Sequence, residues 1–196
     1  MVREVNVMNT IDEYYNYECE RITDINEHLP TLKRYAEECD HITEMGVRTV
    51  VSTWAFLAGR PKKLVSIDIQ PCDVSAARTL ASEASIEFEF IQADTANPDF
   101  IIENTDLLFI DTWHIYEQLQ AELRLHAPRT NKYIIMHDTT LFGDEGTPEW
   151  FNSVTQQVAT RRGLWPAIEE FLEANPEWRI KERFTHNNGL TVLERI

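Results

Sequence analysis

The stretch HITEMGVRTVVSTWAFLAG, residues 41–59, decides the fold. HITEMG reads as a short strand closed by Gly46, and STWAFLAG as an apolar helix that stops near Gly59. Downstream the alternation continues. KLVSIDI (63–69) is a strand, and DVSAARTLASEA (73–84) a helix with Asp73 as its cap. IEFEFIQAD (86–94) and DLLFID (106–111) are strands, IYEQLQAELRLHA (115–127) is a helix, and KYIIMHD (132–138) is the fifth strand. Residues 149–175 read as mostly helix, interrupted near Gly163 and Pro166. The last stretch, WRIKERFTHNNGLTVLERI, reads as two strands around a turn at Asn187–Asn188–Gly189.

Strand alternating with helix implies a parallel sheet with helices on both faces. The continuous apolar strands agree, because parallel strands are buried on both sides. No helix separates the last two strands, so they are expected to be antiparallel. The predicted fold is α/β: a Rossmann-like, doubly wound sheet of about seven strands, five parallel plus a C-terminal antiparallel hairpin. Upstream, residues 10–39 read as helical, with Asp24 as N-cap and Glu27 completing a capping box. Residues 1–40 are thus expected to be a helical extension and 41–196 one catalytic domain.

Ligands of such sheets bind beyond the carboxyl ends of the strands. Those ends carry Glu44 and Gly46, then Asp68, Asp94, Asp111, and finally His137 and Asp138. Five acidic strand ends along one edge are hard to dismiss as ordinary loop residues. In LLFIDTWHIYE (107–117) an apolar run ends in Asp111, with His114 three residues on. A buried carboxylate and imidazole are costly without partners or a task.

The balance of 33 acidic against 18 basic residues gives a net charge of −15. Such a surface repels phosphate backbones and anionic bilayers, so neither nucleic acid nor membrane is an expected partner. Cys19, Cys39 and Cys72 form no CxxC pair and read as free thiols in a reducing compartment. The first residues, MVREVNVMNT, hold no apolar signal region, and the expectation is a cytoplasmic protein, monomer or homodimer.

From about residue 40 to the end, the order of elements resembles the class I S-adenosylmethionine-dependent methyltransferases. It is closest to small O-methyltransferases: the catechol type and the cephalosporin hydroxylase-like and rhamnosyl O-methyltransferase family. EMGVRTVVST (44–53) resembles their E-x-G-x-x-x-G-x-S segment, with Val50 in place of the second glycine. The resemblance implies that Gly46 lets the backbone approach the cofactor. It further implies that Ser52 opens a helix whose N-terminus holds the carboxylate, and that Glu44 orients the ammonium. SIDIQ (66–70) places Asp68 where an acidic residue takes the ribose hydroxyls. FIQAD (90–94) places Asp94 near the adenine, and Trp113 is a candidate to stack on it.

FIDTWHIYE and YIIMHDTT resemble the segments that bind a divalent cation in metal-dependent members. That implies Asp111, His137 and Asp138 as ligands of Mg²⁺ or Mn²⁺, with His137 standing where many relatives have a carboxylate. His114 falls where the catechol type has its general base, so Asp111 and His114 are the expected catalytic pair. The function implied is methyl transfer to a hydroxyl of a small molecule, a sugar or secondary metabolite. A catalytically silent binding or regulatory protein on the same scaffold is the alternative, and Val50 is the feature that favours it. A nicotinamide-dependent oxidoreductase is disfavoured, since no GxGxxG follows the first strand. TTLFGDEGTPEW (139–150) and the tyrosine-rich N-terminus are candidate covers for the cleft.

Overall fold

The computed structural model describes residues 8–148 and 158–196. The parallel strands are β1 (His41–Met45), β2 (Lys63–Asp68), β3 (Glu87–Gln92), β4 (Thr105–Ile110) and β5 (Thr130–His137). β6 (Trp178–Phe184) and β7 (Leu190–Arg195) form the terminal hairpin. The sheet runs β3-β2-β1-β4-β5-β7-β6, with β7 antiparallel to both β5 and β6. The hairpin turns through Asn187, Asn188 and Gly189, all at positive φ, as the Asn-Asn-Gly sequence anticipates.

Period-two alternation explains why the strands are apolar throughout. Leu107, Phe109 and Ile135 face one helix layer, and Leu108, Ile110, Ile134 and Met136 face the other. The first layer holds α1 (Ile11–Glu20), α2 (Leu29–Ala36), α3 (Val51–Ala58) and α4 (Ser75–Glu83). The second holds α5 (Tyr116–His126) and α6 (Leu164–Ala174). The helices before β1 are built into the first layer: Ile11, Leu29, Leu32 and Tyr35 share its core with Trp54 and Phe56.

The N-terminal stretch is not one helix. The capping box lies at Thr10 and Glu13, at the start of α1. The expected box at Asp24 and Glu27 does not form: a 3-10 turn spans Asn26–His28, and Thr23 and Asn26 exchange side-chain-to-backbone hydrogen bonds there. Asp24 instead pairs with Arg48. Asp73 accepts hydrogen bonds from the main chain and hydroxyl of Ser75, one residue before the capping position of α4.

Of the long helix expected over 149–175, residues 149–157 lie outside the described residues. Residues 158–163 are not helical; Arg162 bridges to Glu145, and α6 starts after Gly163 with Pro166 in its first turn. A proline there gives up a donor that has no partner within the helix.

Candidate active site

The chain winds outward from β1 through β2 to β3, then returns to lay β4 and β5 on the other side of β1. The crevice of a doubly wound sheet opens where the winding reverses, here between β1 and β4. At that point Asp111 N–H donates to the Met45 carbonyl (2.8 Å), and Gly46 N–H donates to the Ile67 carbonyl (2.9 Å). Gly46 sits at φ +88°, and a Cβ there would lie 1.9 Å from the Asp111 carbonyl oxygen. Its lack of a side chain is therefore required where two loops cross, before any ligand is considered.

Two cavities meet at this crossing. One, of about 430 Å³, is lined by Asp68, Gln70, Cys72, Asp94, Thr95 and Trp113, among others. That volume is in the range of small-molecule sites. The other, of about 110 Å³, is lined by Asp24, Ile25, Ser52, His114 and Asp138, among others. Gly46, Arg48, Asp111 and Thr112 border both.

Asp68 anchors the loop after β1: its carboxylate accepts from Val47 N–H (2.8 Å), Arg48 N–H (2.9 Å) and Gln70 N–H (2.8 Å). Val50 occupies the left-handed region, φ +67°, the conformation for which glycine is the default. A β-branched residue there is strained. Its side chain is buried in the core with Ile25 and Trp54, and it borders neither cavity.

Glu44 lies beneath the cleft, bonded to Ser52, which borders the smaller cavity. The fully buried Glu44 carboxyl accepts from the hydroxyls of Ser52 (2.6 Å), Thr53 (2.8 Å) and Ser66. Burial pushes its pKa up to about 7, against the opposing pull of those donors.

At the ends of β4 and β5 four titratable side chains converge. His114 Nε2 lies 2.9 Å from Asp138 Oδ2 and 3.2 Å from Asp111 Oδ1. His137 Nδ1 lies 3.4 Å and 3.5 Å from the same two oxygens, while its Nε2 donates to the Asn187 carbonyl (3.2 Å). Asp138 is held at φ +59°, a turn that starts the loop after β5. The His114 ring lies flat against Phe142.

Burial works to lower both imidazole pKa values. The facing carboxylates outweigh it, and push His114 up to about 9 and His137 up to about 10. Burial likewise works to raise the two carboxyls. The imidazoles overcome it and hold both below the usual carboxylate range, Asp111 far below it.

The cluster fits a divalent cation. Ligand atoms of Asp111, His114 and Asp138 lie within 4.8 Å of one another. His137 Nδ1 and Asp138 Oδ1 are buried with no hydrogen-bond partner, an expensive arrangement unless something further binds there. The sequence placed His137 in the ligand set and His114 outside it. The structure brings His114 closer to the acidic pair, and aims the unpartnered nitrogen of His137 at the same two oxygens.

Sequence reasoning missed a second buried carboxyl, Glu122 on α5. It accepts from Thr95, Gln118 (2.8 Å) and Thr112 (2.9 Å), so it ties together the loops after β3 and β4 that border the larger cavity. Burial pushes Glu122 up to about 7 as well. The signal was present: Leu119, Glu122, Leu123 and His126 form one helical stripe, with two polar residues in an apolar series. Arg48, on the rim of both cavities, was also missed; a lone arginine in a loop carries no pattern.

The candidate covers are fixed in place where they are described. Residues 139–148 are tied by main-chain hydrogen bonds to residues 161–165 and to the His114 carbonyl; 149–150 lie outside the described residues. Tyr14 stacks on Trp54, with 4.0 Å between ring centres, and serves packing.

No family model matches the chain, and no curated protein matches it. Solved structures do. The SAH-bound methyltransferase PaMTH1 of Podospora anserina superposes at a TM-score of 0.60 with 16% identity, over 97% of this chain and 89% of that one. A Staphylococcus aureus protein provisionally assigned as a caffeoyl-CoA O-methyltransferase gives 0.63 with 14% identity, over 96% and 93%. An O-methyltransferase from Bacillus cereus in complex with SAH gives 0.57 with 15% identity, over 99% and 94%. This chain has the class I methyltransferase fold. In that methyltransferase fold the two cavities sit at the reversal point, with the acidic and imidazole cluster beside the smaller one. No helix among the described residues is long and apolar enough to cross a membrane.

Proposed function

We propose that this protein is an S-adenosylmethionine-dependent O-methyltransferase. It acts on a hydroxyl of a small molecule, a sugar or secondary metabolite, and is assisted by a divalent cation. The observation that carries the reading is the junction of the two cavities at Gly46 and Asp111, with an Asp/His cluster beside the smaller one in which His137 Nδ1 and Asp138 Oδ1 have no hydrogen-bond partner. The larger cavity suits a nucleoside, with Asp68, Asp94 and Trp113 on its wall. The smaller one suits the reacting groups.

Asp111, His114 and Asp138 would hold such a cation, with His137 Nδ1 facing the same carboxylates. A donor set with imidazole favours Mn²⁺ or another transition ion over Mg²⁺. The cation would supply Lewis acidity, making an acceptor hydroxyl easier to deprotonate, and would help to orient it. The two carboxylates beside His114 favour its protonated form and so oppose a role as base unless their charge is balanced. With a cation balancing Asp111 and Asp138, His114 would either ligate it or, with His137 Nδ1 as the ligand instead, take the hydroxyl proton.

The test pairs binding with turnover. Calorimetry with S-adenosylhomocysteine, with and without Mn²⁺, reads cofactor and cation binding. Methylation of a library of hydroxylated small molecules reads the reaction. Binding of both ligands with metal-dependent turnover is the expected result. Failure of the wild-type chain to bind S-adenosylhomocysteine would remove the cofactor reading, and full turnover after exhaustive chelation would remove the metal.

A further inference from the structure

S-adenosylmethionine carries a sulfonium, an ammonium and a carboxylate. The cleft is well furnished for the two cations: Asp68, Asp94 and Asp111 line the larger cavity, and Asp24, Asp111 and Asp138 the smaller. For the carboxylate, the N–H groups that open α3 offer only partial charge, and a full positive charge is scarcer. The Ser52 hydroxyl, at the start of α3, is spent on Glu44 (2.6 Å). In the loop after β1, Val47 N–H and Arg48 N–H are spent on Asp68, and Val50 N–H on the Val47 carbonyl. Among the described residues lining either cavity, Arg48 is the only arginine or lysine, and it stands where the two meet.

The Arg48 guanidinium already holds a carboxylate. Its Nη2 lies 3.0 Å and 3.3 Å from the two oxygens of Asp24, in the segment just before the 3-10 turn. The pair is exposed to solvent, 74% for the Arg48 side chain and 38% for Asp24. Exposed pairs contribute little, so one carboxylate can replace another at small cost. The main chain at Arg48 is fixed by Asp68 at φ +44°, so the side chain projects from an anchored point.

We propose that Arg48 is the receptor for the amino-acid carboxylate of the cofactor, and that Asp24 occupies this receptor when the cofactor is absent. The proposal rests on the cofactor class named above. Cofactor entry breaks the Arg48–Asp24 pair and makes a new one with the ligand. The segment carrying Asp24 and Ile25, which walls the smaller cavity, is thereby released from Arg48. It remains attached on its other side, where Asn187 accepts from Glu27 N–H (3.0 Å) and donates to the Thr23 carbonyl (2.9 Å).

The experiment compares two ligands by calorimetry: S-adenosylhomocysteine, and 5′-methylthioadenosine, which keeps the nucleoside and sulfur but lacks the amino acid. Arg48→Met keeps the stem and removes the charge. It should weaken S-adenosylhomocysteine about three- to fivefold, the upper range of an exposed ion pair, and leave methylthioadenosine unchanged. Asp24→Asn removes the competitor, so it should tighten S-adenosylhomocysteine a few-fold and leave methylthioadenosine unchanged. Equal effects of Arg48→Met on the two ligands, or none on either, would overturn the assignment while leaving the cofactor reading intact. A wild-type chain that binds neither ligand would bring down both.

Discussion

Glu44 and Glu122 are buried among hydroxyl and amide donors, whereas Asp111 and Asp138 face two imidazoles. Burial pushes all four carboxyls in the same direction, towards the neutral form. The partners decide the outcome. Neutral donors leave Glu44 and Glu122 near 7; imidazoles hold Asp111 and Asp138 ionised. The location differs in parallel. Glu44 joins β1, β2 and α3, and Glu122 joins two loops to α5, so both are joints under the cleft. Asp111 and Asp138 border the open smaller cavity. A protein can thus keep neutral acid for cohesion and charged acid beside a cavity for chemistry, both of them buried in whole or in part, and choose between them by the neighbour it supplies.

The sharpest way to break this contrast is to neutralise one member of the charged pair. Asp138→Asn leaves the size of the side chain unchanged but neutralises a proposed cation ligand and the carboxylate that both imidazoles face. It should lower the methylation rate by about 10²- to 10³-fold, the scale of losing a preorganised electrostatic group, with Mn²⁺ affinity falling in the same titration. An unchanged rate would make the cluster structural, like Glu44. The hydroxyl-lined pair should answer differently. Glu44→Ala leaves the Ser52, Thr53 and Ser66 hydroxyls buried without their acceptor, and should cost roughly 3 kcal/mol in urea unfolding. A loss below about 0.5 kcal/mol would mean that water replaces the carboxyl.

The pH dependence separates the two pairs again. Glu44 and Glu122 have folded pKa values of about 7, above the ordinary carboxyl value, so the folded state favours their protonated form. Their contribution to stability is full below about pH 4.3 and is lost as pH rises through 7. His114 and His137 are raised to about 9 and 10, so their contribution is full below about pH 6.5 and is lost as pH rises through those values. Buried His28 acts the other way: it is lowered to about 4, mainly by burial, so its contribution is lost as pH falls from about 6.5 through 4. Thermal melts of the chelated protein should therefore show stability falling from pH 7 to 10. Mn²⁺ should remove the larger part of that fall, which the imidazoles carry, since it takes the place of their protons, and leave the smaller loss of Glu44 and Glu122 near pH 7. A decline that Mn²⁺ does not touch would place its origin outside the cluster.

The sheet was legible because its signals are local. A β strand buried on both faces is apolar at every position, and the Asn187–Asn188–Gly189 turn declares its own geometry. The acidic strand ends were legible for the same reason: the sheet itself brings consecutive ends together, so a one-dimensional series of Asp and His becomes a cluster. What was not legible depends on partners far along the chain. Asp24 looked like a helix cap because Glu27 stands three residues on, but Arg48 takes it. Glu44 stands in a segment that resembles a cofactor motif, and the motif does not announce that Ser66, 22 residues on, shares its carboxyl with Ser52 and Thr53. The unexpected role of Gly46 follows from β4 folding back beside β1, a crossing that no local pattern encodes.

The smallest effect tests whether Glu122 is a joint or a mere occupant. Thr112 follows Asp111 and borders both cavities, and its hydroxyl donates to Glu122 at 2.9 Å. Thr112→Val keeps the shape of the side chain and deletes that one donor. Thr95 and Gln118 still satisfy the other carboxyl oxygen, so the fold should survive with a loss of about 1 kcal/mol. Losing a donor to the ionised form also pushes the Glu122 carboxyl further up. The variant should thus lose more stability at pH 8 than at pH 5, because ionising Glu122 becomes costlier as the pH rises. Cofactor affinity should move with it, since the loop after β4 is tied to α5 through this bond. If stability falls by the same amount at both pH values and affinity is untouched, the hydroxyl packs rather than pins, and Glu122 holds only the loop after β3.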